Sequence, residues 1–170
     1  MPRSFDMATE YGGSVEQVHR AFRDERYWMA RLTDSGADDY SLEALVVDDG
    51  GGIDVVTTQR ILAHRLPGVV QQFHRGELRL LREETWSPIA GGKAAAAITL
   101  TIDGAPATLS GSAELVPIQD GQRSRLDFHA EVEVRVPLVG GKIENFIGSQ
   151  LVDLLIAEQR FTTLWIAENA

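Results

Sequence analysis

The chain has 170 residues, 44% of them hydrophobic, with six prolines and no cysteine. That is enough for one domain with a sizeable core, and it excludes disulfides and thiolate metal sites. A formal charge of -9 repels phosphate backbones and anionic headgroups over most of the surface, which argues against nucleic acid as a partner.

The opening MPRSFDMATEY carries no apolar secretory core. No apolar run approaches the roughly 20 residues of a spanning helix. A soluble, cytoplasmic protein without stable membrane insertion is therefore expected, as a single domain over residues 1–170. Phe5, Met7, Thr9 and Tyr11 alternate with Ser4, Asp6, Ala8 and Glu10, the period of a half-buried strand, until Gly12 and Gly13 interrupt it. Ser14 then offers an N-cap with Gln17 as its capping-box partner, ahead of a short stripe of Val15, Val18, Ala21 and Phe22. A second helical piece is expected around Tyr27 to Leu32.

From Tyr40 to Val136 strand follows strand, with turn signals at Asp48 to Gly52, Gly91-Gly92, Asp103-Gly104 and Asp120-Gly121. The series implies an antiparallel meander. One interruption is irregular: RLPGVVQQFHRG, Arg65 to Gly76, whose Leu66, Val69, Val70 and Phe73 suggest a short amphipathic turn. In the last strand Leu126, Phe128, Ala130, Val132, Val134 and Val136 alternate with polar residues, giving one dry and one wet face. Ala94 and Ala96, and Ala107, Gly111 and Ala113, put small side chains on one face of the two preceding strands. Small residues there either admit a close neighbour or leave a cavity.

Pro137 lacks the amide that would continue a ladder, and Gly140-Gly141 is expected to let the backbone turn sharply into a helix. From about Lys142 to Glu168 that helix would be roughly 40 Å long, enough to lie across the sheet. At about 100° per residue, Ile143, Ile147, Leu151, Leu154, Phe161 and Trp165 share one sector. Leu154 is expected in the docking face, where Leu154→Asp would bury an unpaired charge.

The order of elements, with Leu66-Pro67, Gly76, Glu84 and Trp86, Pro106, Gly111 and above all PLVGGKIE at Pro137 to Glu144, resembles the helix-grip fold of the START-like (SRPBCC) superfamily. Within it, the motif is similar to an actinobacterial family of unknown function. The resemblance implies an α+β fold: a seven-stranded curved antiparallel sheet around a long C-terminal helix, with two short helices after the first strand. It also implies an apolar cavity of the kind that holds lipids or other hydrophobic small molecules.

The lining of such a cavity is expected from Tyr11, Trp86, Ile98, Leu100, Phe128 and Val132 on the strands. The helix would add Ile147, Gln150, Leu151, Leu154, Glu158, Phe161 and Trp165. A gate is expected at the loop of Leu66, Pro67, Val70 and Phe73. Glu158 falls inside the apolar sector of the helix and admits two readings: a structural bond to Thr57, Gln59 or a backbone group, or a polar anchor for a ligand. In the second reading Glu158→Gln would leave stability unchanged or higher. On the fourth strand Leu78, Leu80, Arg82, Glu84 and Trp86 share a face if the strand is regular.

The four histidines show no metal-ligand spacing, and no nucleophile elbow, P-loop or dinucleotide fingerprint is present. No metal or cofactor is expected. Asp127 and His129, two apart on one strand, are close enough to touch. Between Arg60 and Arg82 stand five arginines and two histidines against Glu77 alone, which reads either as an anionic-headgroup contact or as a solvated face balanced by acidic neighbours. The function expected is binding of a hydrophobic small molecule or lipid without catalysis. The alternatives are a cyclase or aromatase using Glu158 or the Arg82 and Glu84 pair, and an interaction domain with a filled core.

Overall fold

The computed structural model describes residues 2–66, 68–71, 76–103 and 105–169. Strand β1 (Arg3–Tyr11) leads into helices α1 (Val15–Phe22) and α2 (Glu25–Asp34), then strands β2 (Asp39–Val47) and β3 (Ile53–Ile61). A 3-10 turn (Ala63–Arg65) and the short helix α3 (Gly68–Gln71) precede β4 (Leu78–Trp86), β5 (Ala94–Ile102), β6 (Ala107–Ile118) and β7 (Arg123–Val134). The 30-residue helix α4 (Gly140–Asn169) closes the order.

All seven strands form one antiparallel sheet in the order β1-β7-β6-β5-β4-β3-β2, so the meander from β2 to β7 is completed by β1 returning to pair with β7. Local chemistry explains the joints. Ser14 Oγ accepts from the Gln17 amide and Gln17 Oε1 accepts from the Ser14 amide, the reciprocal box that starts α1. Gly91 and Gly92 both take positive φ, 61° and 77°, which suits a tight turn between paired Ala90 and Lys93.

Helices α1 and α2 close one end of the space between sheet and α4. There Phe22, Tyr27, Trp28 and Trp86 pack as a cluster, with Phe22 and Trp86 ring centroids 5.0 Å apart and Tyr27 and Trp28 edge-on at 5.3 Å. The Trp28 indole donates to the Phe22 carbonyl at 2.8 Å, so its buried N–H is satisfied.

The strand-to-helix corner differs from expectation. Strand β7 ends at Val134, and the residue that turns through positive φ is Leu138 (71°), fully exposed, and not a glycine. The glycines serve close approach. A Cβ on Gly140 would stand 2.6 Å from the Val134 carbonyl oxygen, and one on Gly141 would meet the Arg3 guanidinium. Glu144, only 2% exposed, locks the corner: its Oε2 accepts the Val134 amide at 2.8 Å, and its Oε1 lies 3.5 Å from Arg3 Nε.

The docking face of α4 is also rotated from the expected sector. Gly140, Ile143, Glu144, Gly148, Leu151, Thr162 and Ile166 are its buried residues, whereas Leu154 is 41% exposed. Gly148 lets the helix sit on Phe5, whose ring occupies the place a Cβ would take. Among the described residues no helix is long and apolar enough to cross a membrane.

Candidate functional site

Away from α1 and α2, the sheet and α4 diverge and leave a half-open chamber of about 620 Å³. Its walls are Ile61, Leu78, Ile102, Ala107, Val132 and Val134 from the sheet and Ile143, Phe146, Ile147 and Leu151 from the helix. Leu66, buried in the loop after β3, borders it, and Arg65, Gln150 and Asp153 stand at its margin. Of the small residues of β5 and β6 expected to leave room, Ala107 borders this chamber, whereas a Cβ on Gly111 would meet the Phe128 ring, so the space beside Gly111 holds an aromatic side chain.

Leu80, Leu100, Leu109, Leu151 and Leu154 border this chamber and also a smaller one of about 90 Å³ further in. Tyr11, Phe22, Trp86, Ile98, Leu126 and Phe128 make its apolar wall, and Arg31, Arg82, Glu84 and Glu158 its charged one. A third space of about 100 Å³, bordered by Trp28, Thr57, Phe161 and Gln59, lies on the other side of the same charges.

The charged groups form a closed cluster from three elements. Strand β4 is regular along its pairing with β3, so Arg82, Glu84 and Trp86 all point inward. Arg82 donates to both oxygens of Glu158, at 2.8 and 3.2 Å, and its Nε lies 3.0 Å from Glu84 Oε2. Arg31 approaches from α2 with an amine 2.6 Å from Glu158 Oε1 and 3.8 Å from Glu84 Oε2. The remaining Glu84 oxygen accepts the Trp86 indole N–H at 3.2 Å.

Thr162 donates to the Glu158 carbonyl, Tyr27 donates to Thr162, and Arg31 donates to the Tyr27 hydroxyl. The Arg31 guanidinium also lies over the Trp28 ring, 4.8 Å from its centroid. Burial by itself would raise the Glu158 carboxyl, but the charges and hydrogen bonds of Arg31 and Arg82 outweigh it and hold the group down to about 2. The partners of Glu158 are thus two arginines, not Thr57 or Gln59.

Tyr11 and Gln59 are the uncommitted polar members of the inner chamber. Tyr11 is 4% exposed, and among the described residues neither its hydroxyl nor the Gln59 side-chain amide makes a hydrogen bond.

The structure brings Tyr11, Trp86, Ile98, Phe128 and Glu158 to the inner chamber, and Val132, Ile147 and Gln150 to the outer one. Leu100, Leu151 and Leu154 border both, and Phe161 borders the third space. Trp165, expected in the lining, borders none of the three. Its ring packs edge-on against Tyr27 at 5.8 Å, because the last turns of α4 lie over the helical end of the sheet. Of the expected gate, Pro67 and Phe73 lie outside the described residues, as does the Val70 side chain.

Arg31 went unnoticed in the sequence. Its signal was there: it stands four residues after Tyr27 and three after Trp28, on the same face of α2.

The other charges resolve locally. Arg60 pairs with Glu77 and Asp39, Arg65 with Asp38, and Arg79 with Glu77, so the basic segment has acidic neighbours. His129 bonds Asp6 at 2.7 Å, and Asp127 pairs with Arg125 instead of His129. His19 is buried in α1 with one ring nitrogen 3.0 Å from the Ser87 carbonyl.

Comparison with known proteins gives a family and a fold. A family model described as a protein of unknown function, DUF2505, matches residues 6–166. The uncharacterized protein Rv0481c of Mycobacterium tuberculosis is 50% identical over 173 residues, covering 99% of this chain and 99% of its own length. Among solved structures, the Zhui aromatase/cyclase from Streptomyces sp. R1128 superposes with a TM-score of 0.64 at 10% identity, covering 98% of this chain and 94% of that one. A START superfamily protein from Mycobacterium smegmatis superposes with a TM-score of 0.56 at 15% identity, covering 95% and 98%. At these identities the structures share the helix-grip fold with this chain.

Proposed function

The chain belongs to the DUF2505 family of proteins of unknown function, and from the shape and chemistry of its interior we propose that it binds a hydrophobic small molecule or lipid between the sheet and α4, without transforming it. The observation that carries this reading is the apolar chamber of about 620 Å³ with a narrower extension behind it. Its size lies within the roughly 300–1,000 Å³ of small-molecule sites, and its mix of many apolar walls with a few converging polar groups is what such sites use. Affinity would come from apolar burial, and orientation from the polar wall. The START-like fold supports ligand binding in general; the ligand class is inferred from the lining.

The neighbouring aromatase/cyclase raises the possibility of turnover, and the electrostatics weigh against it. A general base works best with a pKa near the operating pH. Glu158, held at about 2 by two arginines, is a weak base. Glu84 is engaged by Arg82 and Trp86.

The test is mass spectrometry of organic extracts from the purified protein, alongside titration with the neutral apolar dye Nile red. A lipophilic compound in the extract, or dye binding that the compound displaces, supports the reading. Absence of both a co-purified compound and dye binding would refute it.

A further inference from the structure

The ligand-binding reading of the cavity leaves open which end of a ligand goes in first and what charge it carries. Building on that reading, we propose that the inner chamber receives the uncharged terminal oxygen of an amphiphile, a hydroxyl or carbonyl, with the Tyr11 hydroxyl as its hydrogen-bond partner and the apolar body left in the outer chamber.

Charge balance is the first ground. Two guanidinium groups and two carboxylates face one another in the polar wall, and all four carboxylate oxygens have a donor within 3.2 Å. A carboxylate head would have to displace Glu158 from its arginines or be buried without a countercharge. An ammonium head would meet the two guanidinium groups. Either costs more than a neutral oxygen.

The second ground is Tyr11. Its hydroxyl, like the Gln59 side-chain amide that also borders the chamber, makes no hydrogen bond among the described residues, and the Tyr11 side chain is more than nine-tenths buried. Buried hydroxyls normally have a partner, and a ligand oxygen supplies one. Burial pushes the phenol far above its usual range, so it stays protonated and can both donate and accept.

The approach is the third ground. Leu80, Leu100, Leu109, Leu151 and Leu154 border both chambers, so a charged head going from the outer to the inner one would have to pass apolar side chains without its water.

Displacement of bound Nile red by decan-1-ol and by decanoate, near neutral pH, tests the assignment. Decan-1-ol should displace the dye at a concentration roughly tenfold lower, reflecting the cost of dehydrating a carboxylate without a partner. Because any apolar pocket disfavours a carboxylate, the decisive arm is Tyr11→Phe. It should raise the decan-1-ol requirement about threefold or more, the worth of one neutral hydrogen bond, and leave that of decanoate unchanged.

Thermal melting of Tyr11→Phe should match the parent, because the hydroxyl removed has no protein partner. Decanoate displacing as well as decan-1-ol, or decan-1-ol indifferent to Tyr11→Phe, would overturn the head-group assignment while leaving the cavity a binding site. Failure of Nile red and both alkyl probes to bind would overturn the ligand-binding reading, and this assignment with it.

Discussion

Arg82 in β4 and Glu158 in α4, 76 residues apart, meet end on, with the two terminal guanidinium nitrogens donating to the two carboxylate oxygens at 2.8 and 3.2 Å. With Arg31 from α2 completing the cluster, the pair ties the central helix to both the sheet and the helical cap. It explains how a carboxylate persists in the apolar stripe of α4: its charge is compensated on the spot.

Glu158→Gln should therefore destabilise the protein, opposite to the expectation drawn from the helical wheel. Two buried guanidinium groups would lose their main countercharge, at a cost of about 3 kcal/mol. Urea denaturation near neutral pH measures this, and a variant as stable as the parent would show that the arginines find other partners.

The same pair sets an acid dependence. The Glu158 carboxyl lies at about 2 in the folded chain against the ordinary 4.5. A depressed folded value contributes stability that is present above pH 4.5 and lost as pH falls toward 2. Parent stability should drop across that window more steeply than that of Glu158→Gln, as read by denaturant midpoints at a series of pH values.

Corner residues should be sensitive although they touch no cavity oxygen. Glu144→Ala strands the Val134 amide and should cost about 2 kcal/mol. Gly140→Ala places a methyl against the Val134 carbonyl and should cost about 1–3 kcal/mol, despite the better helix propensity of alanine, worth about 1 kcal/mol. Equal or higher melting temperatures for both would mean that the corner relaxes freely.

Leu151 and Leu154 separate docking from lining. Leu151 is 9% exposed and Leu154 41%. Leu151→Ala should cost about 2–4 kcal/mol, while Leu154→Asp should cost about 1 kcal/mol or less in stability and weaken Nile red binding more than Leu151→Ala does per unit of lost stability. The reverse order in denaturant unfolding would restore Leu154 to the core.

Ile147 stands on the helix wall of the outer chamber. Ile147→Trp should fill part of that space, lower dye binding by about tenfold or more and leave folding intact, since the added bulk enters open volume and not packed core. Undiminished binding with an unchanged fold would place the ligand elsewhere.

The order of elements was legible in the sequence because it is written in local periods: two-residue alternation in β1 and β7, the Ser14 and Gln17 box before α1, turn glycines between strands, and an apolar helix after Pro137. Those signals depend on residues a few positions apart. The inward face of β4 followed from the same period, and so did the exceptional place of Glu158 on the helical wheel.

What only the tertiary structure decided was which distant groups meet. Arg31, 127 residues before Glu158, could not be matched to it from local pattern, because the crossing of α2 over α4 sets that contact. The rotation of α4 that buries Gly148 and exposes Leu154 depends on Phe5 in β1. The place of the cavity depends on where Phe128 fills the room beside Gly111. Periodicity tells which side of an element is dry; what stands opposite that side is set by the packing of chain segments far apart in sequence.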